Sequence, residues 1–362
     1  MEIEEVAGKK IKVMLHYSRY GVQRSPNAQF DLMRENKFLT DKCEFITLDQ
    51  SKLPREIGHI QSIKNLMNKI KKEKPDIVHI LGVKEGFHCV IAALLAGCKS
   101  RILVTHGFEG YSNKNKFIKK MFYRWIIEPM VLLLSTHVQC NSWFSYNQQM
   151  IRLFANKKRT VVYNFLEQCD CVEERIWRKK NGIDNEVFLI ATIGNMHSGK
   201  GYDILADVIR YFNDNDSVKF VIMGDGPIKK TFDELVSDAI KSKKVFSLGN
   251  IPHNDAMQIL SECDLFVLPT RFETLGMVFA EAALYGITSI GTKVGAVDEI
   301  VQDKKTGYLV KMDDKEKIKK LVEFLYKNPE QCRTMGEEAT RYIREIFSSE
   351  KSAKKIFEMY KN

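Results

Sequence analysis

The 362-residue chain has no apolar run long enough to cross a bilayer. Its most apolar stretch, WIIEPMVLLL at 125–134, is broken by Glu128 and Pro129. It also lacks a leader-like start. MEIEE puts glutamates where a secretory signal wants cations and then an apolar run. No pair among its eight cysteines (Cys43, Cys89, Cys98, Cys140, Cys169, Cys171, Cys263 and Cys332) has zinc-finger spacing. Cys169 and Cys171 are separated by one residue, too close for an easy bridge. A chain of this length needs no disulfide staple, so all eight read as reduced thiols of a cytosolic protein. Short repeats and low-complexity tracts are absent too. A composition 44% hydrophobic and 28% charged excludes a wholly disordered chain, a collagen and a coiled-coil rod. These absences point to a cytoplasmic protein, soluble or peripheral to a membrane.

What is present is an excess of positive charge, 56 Lys and Arg against 46 Asp and Glu. A net +10 favours anionic partners: nucleic acid, phosphorylated substrates or an acidic membrane surface. Charge alone does not choose among them.

Short apolar runs alternate with amphipathic segments. IKVMLH (11–16), CEFITL (43–48), DIVHIL (76–81), RILVTH (101–106), HVQC (137–140) and TVVY (160–163) read as strands. Helical periodicity lies between them, for example at 61–73, 87–97, 115–127 and 143–155. Near-continuous apolar strands separated by helices imply parallel sheets covered on both faces. Residues 166–184 are charged and carry no strand-like run, so they read as a linker with a helical turn. The alternation restarts with VFLIATIG (187–194), VKFVIMG (218–224), VFSLG (245–249), DLFVLP (264–269), TSIGT (288–292) and GYLV (307–310). The expected division is a first α/β domain at 1–168, a second at 169–340, and a terminal helical segment at 341–362. Two doubly wound domains in tandem usually face each other across a cleft, with ligands at the carboxyl ends of the strands.

Three strand-end segments carry candidate chemistry. GNMHSGKG (194–201) nearly matches a phosphate-binding loop, with Lys200 before a helix start, but Gly201 stands where a magnesium-binding hydroxyl belongs. It reads as a phosphate site without the nucleotide-triphosphatase machinery. GDGP (224–227) supplies a tight strand-to-helix turn through Gly224 and Gly226. A nicotinamide fingerprint is incomplete there, because Lys229 occupies the third glycine position. The richest segment is DLFVLPTRFETLGMVFAEAALYG (264–286), a strand, a loop and a helix starting near Gly276. Glu273 and Glu281 are separated by seven residues, a spacing of about 12 Å along a continuous helix. One carboxylate could take sugar hydroxyls and the other ribose hydroxyls, with a diphosphate between them at the free amides of Leu275, Gly276 and Met277. On spacing alone, a helix cap and a surface acid are an equally open reading. Asp214 and Asp216 form an Asp-x-Asp at the amino end of a strand, the wrong end for a ligand, and read as a turn.

Segment 269–286, followed by GTKVGAVDEIVQDKKTGYLV (291–310), resembles glycosyltransferase family 4. GNMHSGKG, GDGP, KPDIVHI (74–80), His106 and VVYN (161–164) stand in that family's order. The resemblance covers nearly the whole chain and is weakest over the first 70 residues. It implies a GT-B fold, two facing Rossmann-like domains with a terminal helix crossing back to the first. The second domain would hold a nucleotide-diphosphate sugar, with a UDP-sugar the expected donor, and the first would bind a saccharide or lipid-linked acceptor. Transfer would retain the anomeric configuration, with no metal and no further cofactor, in the assembly of a cell-surface polysaccharide or glycolipid. By motif position, Lys200 would pair with the diphosphate and Glu273 with donor sugar hydroxyls, while Glu281 would hold the ribose. Thr274, Leu275 and Gly276 would lie along sugar and phosphates, with Gly224 beside them in the donor site. Asn250 and Ile251 would lie beside the base, and Gly21 would let the opposite domain approach the phosphates. His106, alone at a strand end, reads from its position as structural; by resemblance it faces the donor sugar. One departure is Asn195, where the family usually has an arginine. Arg271 and Lys229 are candidates for the missing cation.

The family resemblance leaves two rivals, a sugar-nucleotide 2-epimerase with GT-B-like domains and a decayed nucleotide-binding module. The segment 113–127 carries Lys114, Lys116, Lys119, Lys120 and Arg124 beside Phe117, Met121 and Trp125. It reads equally as a sheet-packing helix with a solvated basic face and as a contact with an anionic membrane surface at the inner face of the cell membrane. Phosphate ligands account for the positive charge without a nucleic-acid partner.

Overall fold

The structure is a computed structural model. It describes residues 9–17, 27–49, 58–105, 121–166 and 175–361. Gly21, His106, Cys169, Cys171 and positions 113–120 of the basic segment lie outside the described residues. The chain divides into two units. Met1–Phe165 and Phe347–Asn362 form the first, and Leu166–Ile346 the second.

The first unit is built on β1 (Ile11–Tyr17), β2 (Cys43–Asp49), β3 (Ile77–Leu81), β4 (Ser100–Thr105), β5 (His137–Cys140) and β6 (Arg159–Val161). They pair in the order β2-β1-β3-β4-β5-β6, parallel throughout. All five residues of β3 are buried, because helices cover both faces and leave no solvent side to demand a polar alternate. The period of two instead sorts residues between two cores. Val13, Leu15, Ile77, Ile102 and Val104 enter one core, where Ile356, Phe357 and Tyr360 of the terminal helix Ser349–Lys361 join them. Met14, Val78, Ile80 and Leu103 enter the other, under helices His59–Glu73, Val83–Leu95 and Glu128–Leu134. The terminal helix is tied to the sheet by a 2.8 Å hydrogen bond between His79 Nδ1 and the Tyr360 hydroxyl. Ser352 Oγ also donates to the Tyr163 carbonyl at 3.0 Å.

The second unit contains β7 (Phe188–Ile193), β8 (Val218–Met223), β9 (Val245–Gly249), β10 (Leu265–Leu268), β11 (Thr288–Thr292) and β12 (Gly307–Val310). Their order, β12-β11-β10-β7-β8-β9, is the Rossmann order, and every pair is parallel. Strand order reverses between β7 and β10, so the crevice of this sheet opens at the carboxyl ends of those two strands.

Several sequence expectations change. The 143–155 helix is two short helices, Trp143–Tyr146 and Gln149–Phe154. Ser142 caps the first by accepting from Ser145 N, and Gln148 is not helical (ψ 138°), so the run breaks. The 87–97 helix starts four residues earlier, at Val83, directly after Gly82 turns the chain at φ 71°. In the basic segment, Tyr123–Ile127 winds as a π-helical turn and continues into the α-helix Glu128–Leu134, whose second residue is Pro129.

The charged stretch 166–184 is more than a linker. Arg178, on the short helix Ile176–Lys180, is fully buried. Its guanidinium donates to the carbonyls of Glu262, Asp184 and Val187 and to Asp264 Oδ2 at 2.6 Å. Glu262 in turn accepts from the backbone amides of Trp177 and Arg178. A charged residue can be buried here because each of its three guanidinium nitrogens meets an acceptor.

Candidate active site

The two strand ends at the reversal point carry the residues with chemistry. Beyond β7, Gly194 accepts a hydrogen bond from the Tyr202 hydroxyl (2.8 Å), and the chain turns through Ser198–Lys200 to Gly201. Gly201 has a left-handed backbone (φ 70°), and an added Cβ would stand 1.9 Å from the Pro269 carbonyl oxygen. The turn bearing Lys200 therefore lies directly on the end of β10. Helix Tyr202–Tyr211 starts there, so Lys200 stands at its amino end, where an anion is favoured.

Beyond β10 the chain runs through Pro269 and Thr270 to Glu273, then through Gly276 (φ 83°) into helix Met277–Leu284. Lys200 Nζ forms an ion pair with Glu273 Oε2, and the two side chains are only 16% and 14% exposed. The other carboxylate oxygen of Glu273 accepts from Thr274 N at 3.3 Å. The turn at Gly295 presses on the same residue. At its left-handed φ of 60°, a Cβ would fall 1.6 Å from the Glu273 carbonyl. A half-buried cation and a half-buried carboxylate thus meet at the switch point, both held by backbone contacts that admit only glycine.

Arg271 has a different setting from the free cation expected opposite Asn195. Its Nη1 and Nη2 donate to both oxygens of Asp203 (2.8 and 2.7 Å), its Nε to Asp313 Oδ1 (2.7 Å), and Nη1 also to the Ser198 carbonyl (2.9 Å). Its backbone N–H donates to the Gly199 carbonyl at 2.7 Å, and Thr270 Oγ1 donates to the same oxygen at 3.2 Å. These bonds join the Lys200 turn to the Glu273 loop. The Arg271 guanidinium holds the Asp203 carboxyl below the ordinary carboxylate range through the hydrogen bond, and Asp203 raises the Arg271 pKa in return. Asp313 meets Arg271 from a left-handed backbone (φ 62°), which Asp tolerates better than most residues. Lys229 is likewise engaged, by Asp233 and by Ser247 Oγ at 3.3 Å. Asn195 is exposed.

The remaining expected residues divide by strand. Gly224 ends β8 against the Gly194 carbonyl, which an added Cβ would approach to 1.9 Å. Asn250, exposed, and Ile251, half-buried, follow β9, on the far side of β7 from β10. Leu275 is buried, while Thr274 and Glu281 are half-buried, Glu281 on helix Met277–Leu284. Asp214 and Asp216 are exposed in the turn before β8, and no group of three potential metal ligands occurs among the described residues. Sequence reasoning missed Asp203 and Asp313. Asp203 carried one signal, an acid in the first helical turn after Gly201, and Asp313 none. Among the described residues the six cysteines are free and buried.

Residues 173–342 match the family Glycosyl transferases group 1, and residues 31–137 match Glycosyl transferase 4-like. The group 1 match spans nearly the whole of the second unit. The chain is 29% identical over 317 residues to the UDP-Gal:alpha-D-GlcNAc-diphosphoundecaprenol alpha-1,3-galactosyltransferase of Escherichia coli, covering 80% of this chain and 78% of that one. It is 29% identical over 292 residues to the N-acetyl-alpha-D-glucosaminyl L-malate synthase of Bacillus anthracis, covering 78% and 73%. Among solved structures, Anabaena HepE in complex with UDP and glucose matches with a TM-score of 0.77 at 15% identity, over 96% of this chain and 98% of that one. The fold is thus GT-B, with two Rossmann-like α/β domains, and Lys200 and Glu273 both fall within the group 1 glycosyl transferase match.

Proposed function

We propose that this group 1 glycosyltransferase belongs to glycosyltransferase family 4 and moves a sugar from a UDP-sugar to a hydroxyl of a saccharide or lipid-linked acceptor, with retention and without a metal. The observation that carries this reading is the Lys200–Glu273 pair at the switch point of the Rossmann-ordered sheet. In the absence of donor each group neutralises the other. A diphosphate at the amino end of helix Tyr202–Tyr211 offers Lys200 a stronger anionic partner and releases Glu273 to accept hydrogen bonds from the sugar hydroxyls. The anomeric carbon–oxygen bond to phosphate then breaks, and its electron pair leaves with the UDP. The acceptor oxygen bonds to the same face of the carbon, and its proton passes to the leaving phosphate. Glu273 faces the oxocarbenium-like carbon as positive charge develops, and Lys200 faces the phosphate as negative charge does. Glu281 holds the ribose, Thr274, Leu275 and Gly276 line the sugar and phosphates, and Asn250 and Ile251 border the base. The relatives support a nucleotide-sugar donor: one is named for UDP-galactose, and HepE was crystallised with UDP. The lipid-linked acceptor in the name of the Escherichia coli relative supports a role in cell-surface polysaccharide or glycolipid assembly.

The test is thermal stabilisation by UDP, GDP and ADP in the presence of a chelator, on the parent and on Lys200→Ala. UDP at a hundred times its Kd stabilises the parent by about 2.7 kcal/mol, and the variant loses that gain. Stabilisation that appears only when divalent metal is restored, or that survives in Lys200→Ala, refutes the assignment.

A further inference from the structure

The outer helix layer of the first unit carries an unusual surface. Phe122, Trp125 and Ile126 are 49%, 51% and 50% exposed, and Met121 beside them is exposed as well. The layer continues through Leu133 on helix Glu128–Leu134, Leu94 and Leu95 on Val83–Leu95, and Leu153 on Gln149–Phe154, all exposed. Glu128–Leu134 packs against both of the other two helices, so these exposed residues lie on neighbouring helices of one layer. Large apolar side chains grouped this way mark a contact surface.

Charge identifies the partner. In the stretches Val83–Thr105 and Met121–Leu166, the cations are Lys84, Lys99, Arg101, Arg124, Arg152, Lys157, Lys158 and Arg159. The acids are Glu85, in the first turn of helix Val83–Leu95, and Glu128, which is buried. Lys99, Arg152 and Lys157 are exposed. Arg124 lies over the Trp125 ring, 6.0 Å from its centroid. Lys158 and Arg101 donate to the carbonyls of Leu133 and Leu134, which keeps two more cations beside the apolar strip. No helix among the described residues is long and apolar enough to cross a membrane. We infer that this face docks on a bilayer surface bearing anionic lipid, with Phe122, Trp125, Ile126 and Leu133 entering the headgroup–acyl boundary and the cations meeting lipid phosphates. A second protein copy would bring the same positive charge against itself, so the charge pattern disfavours that occupant.

Vesicle co-sedimentation of the full chain tests the inference without donor, acceptor or turnover, so it stands or falls apart from the proposed activity. The chain binds vesicles of phosphatidylcholine mixed with phosphatidylglycerol, binds phosphatidylcholine alone weakly, and loses affinity as salt rises. The exposed-site variant Phe122→Ser/Trp125→Ser binds about tenfold more weakly with unchanged melting, since each side chain buries apolar area only on the membrane. Arg152→Glu/Lys157→Glu loses the preference for phosphatidylglycerol. Equal binding to both vesicle types, parent-like binding by Phe122→Ser/Trp125→Ser, or a dimer that this variant dissociates without vesicle binding would each overturn the inference.

Discussion

Both units wrap a six-stranded parallel sheet in helices, but they treat charge in opposite ways. In the second unit, charges meet in pairs: Arg178 with Asp264, Arg271 with Asp203 and Asp313, Lys315 with Asp207, and Lys200 with Glu273. In the first unit, the stretches Val83–Thr105 and Met121–Leu166 hold eight cations and two acids, one of which, Glu128, is buried. The same backbone plan therefore serves two purposes. Paired charge fixes loops into a precise geometry at the strand ends, where a reacting centre needs it. An excess of one sign, with few carboxylates to neutralise it, attracts an extended anionic partner.

Breaking the deepest pair of the second unit gives the largest effect. Arg178→Leu leaves the Asp264 carboxylate without its cation and the carbonyls of Glu262, Asp184 and Val187 without that donor, and costs about 3–5 kcal/mol, read by urea unfolding of the whole chain. Glu273→Ala comes next. It lowers kcat by about two to three orders of magnitude, or 3–4 kcal/mol of barrier, while UDP stabilisation persists. A parent-like kcat would remove Glu273 from the reaction. Arg271→Lys sharpens the comparison further. Lysine cannot reproduce the two-oxygen grip on Asp203, so the Lys200 and Glu273 loops loosen and kcat drops about tenfold with little change in UDP affinity. If Arg271 instead contacted phosphate, UDP affinity would fall with kcat. The Asp203 carboxyl titrates below its unfolded value, so its contribution to the brace is complete above the ordinary carboxylate range and is lost as pH falls through the lowered pKa. A turnover profile whose acid limb is unchanged in Asp203→Asn would deny it that role. The smallest effect belongs to the first unit. Trp125→Ser alters stability by no more than about 0.5 kcal/mol in a thermal melt, because the ring has little of the folded protein around it.

Several strands were legible because a strand covered on both faces reads as a short run free of charged side chains. VFSLG, TSIGT, HVQC and GYLV become β9, β11, β5 and β12 without a shift of boundary. Of the site, Lys200 and Glu273 were legible because each follows a strand and precedes a helix. Their direct pairing was not, because they lie 73 positions apart. Arg271 looked like a spare phosphate cation, since nothing local shows that Asp203 and Asp313 come from two other segments to meet it. Arg178 looked like part of a solvated linker, because a run of charges does not reveal which of them meets buried acceptors.

The sequence by itself determined the alternation of apolar strands and helices, the glycines at the strand ends, and the types of group available for phosphate and sugar. Those are local properties, set by side-chain period and backbone freedom within a few residues. Only the tertiary structure decided the strand order that puts β7 beside β10, the pairing of Lys200 with Glu273, and the capture of Arg271 by two carboxylates. It also decided which apolar side chains of the first unit stayed in the open. Each of these depends on which distant segments become neighbours, and that is settled by packing around a whole core rather than by any one stretch of chain.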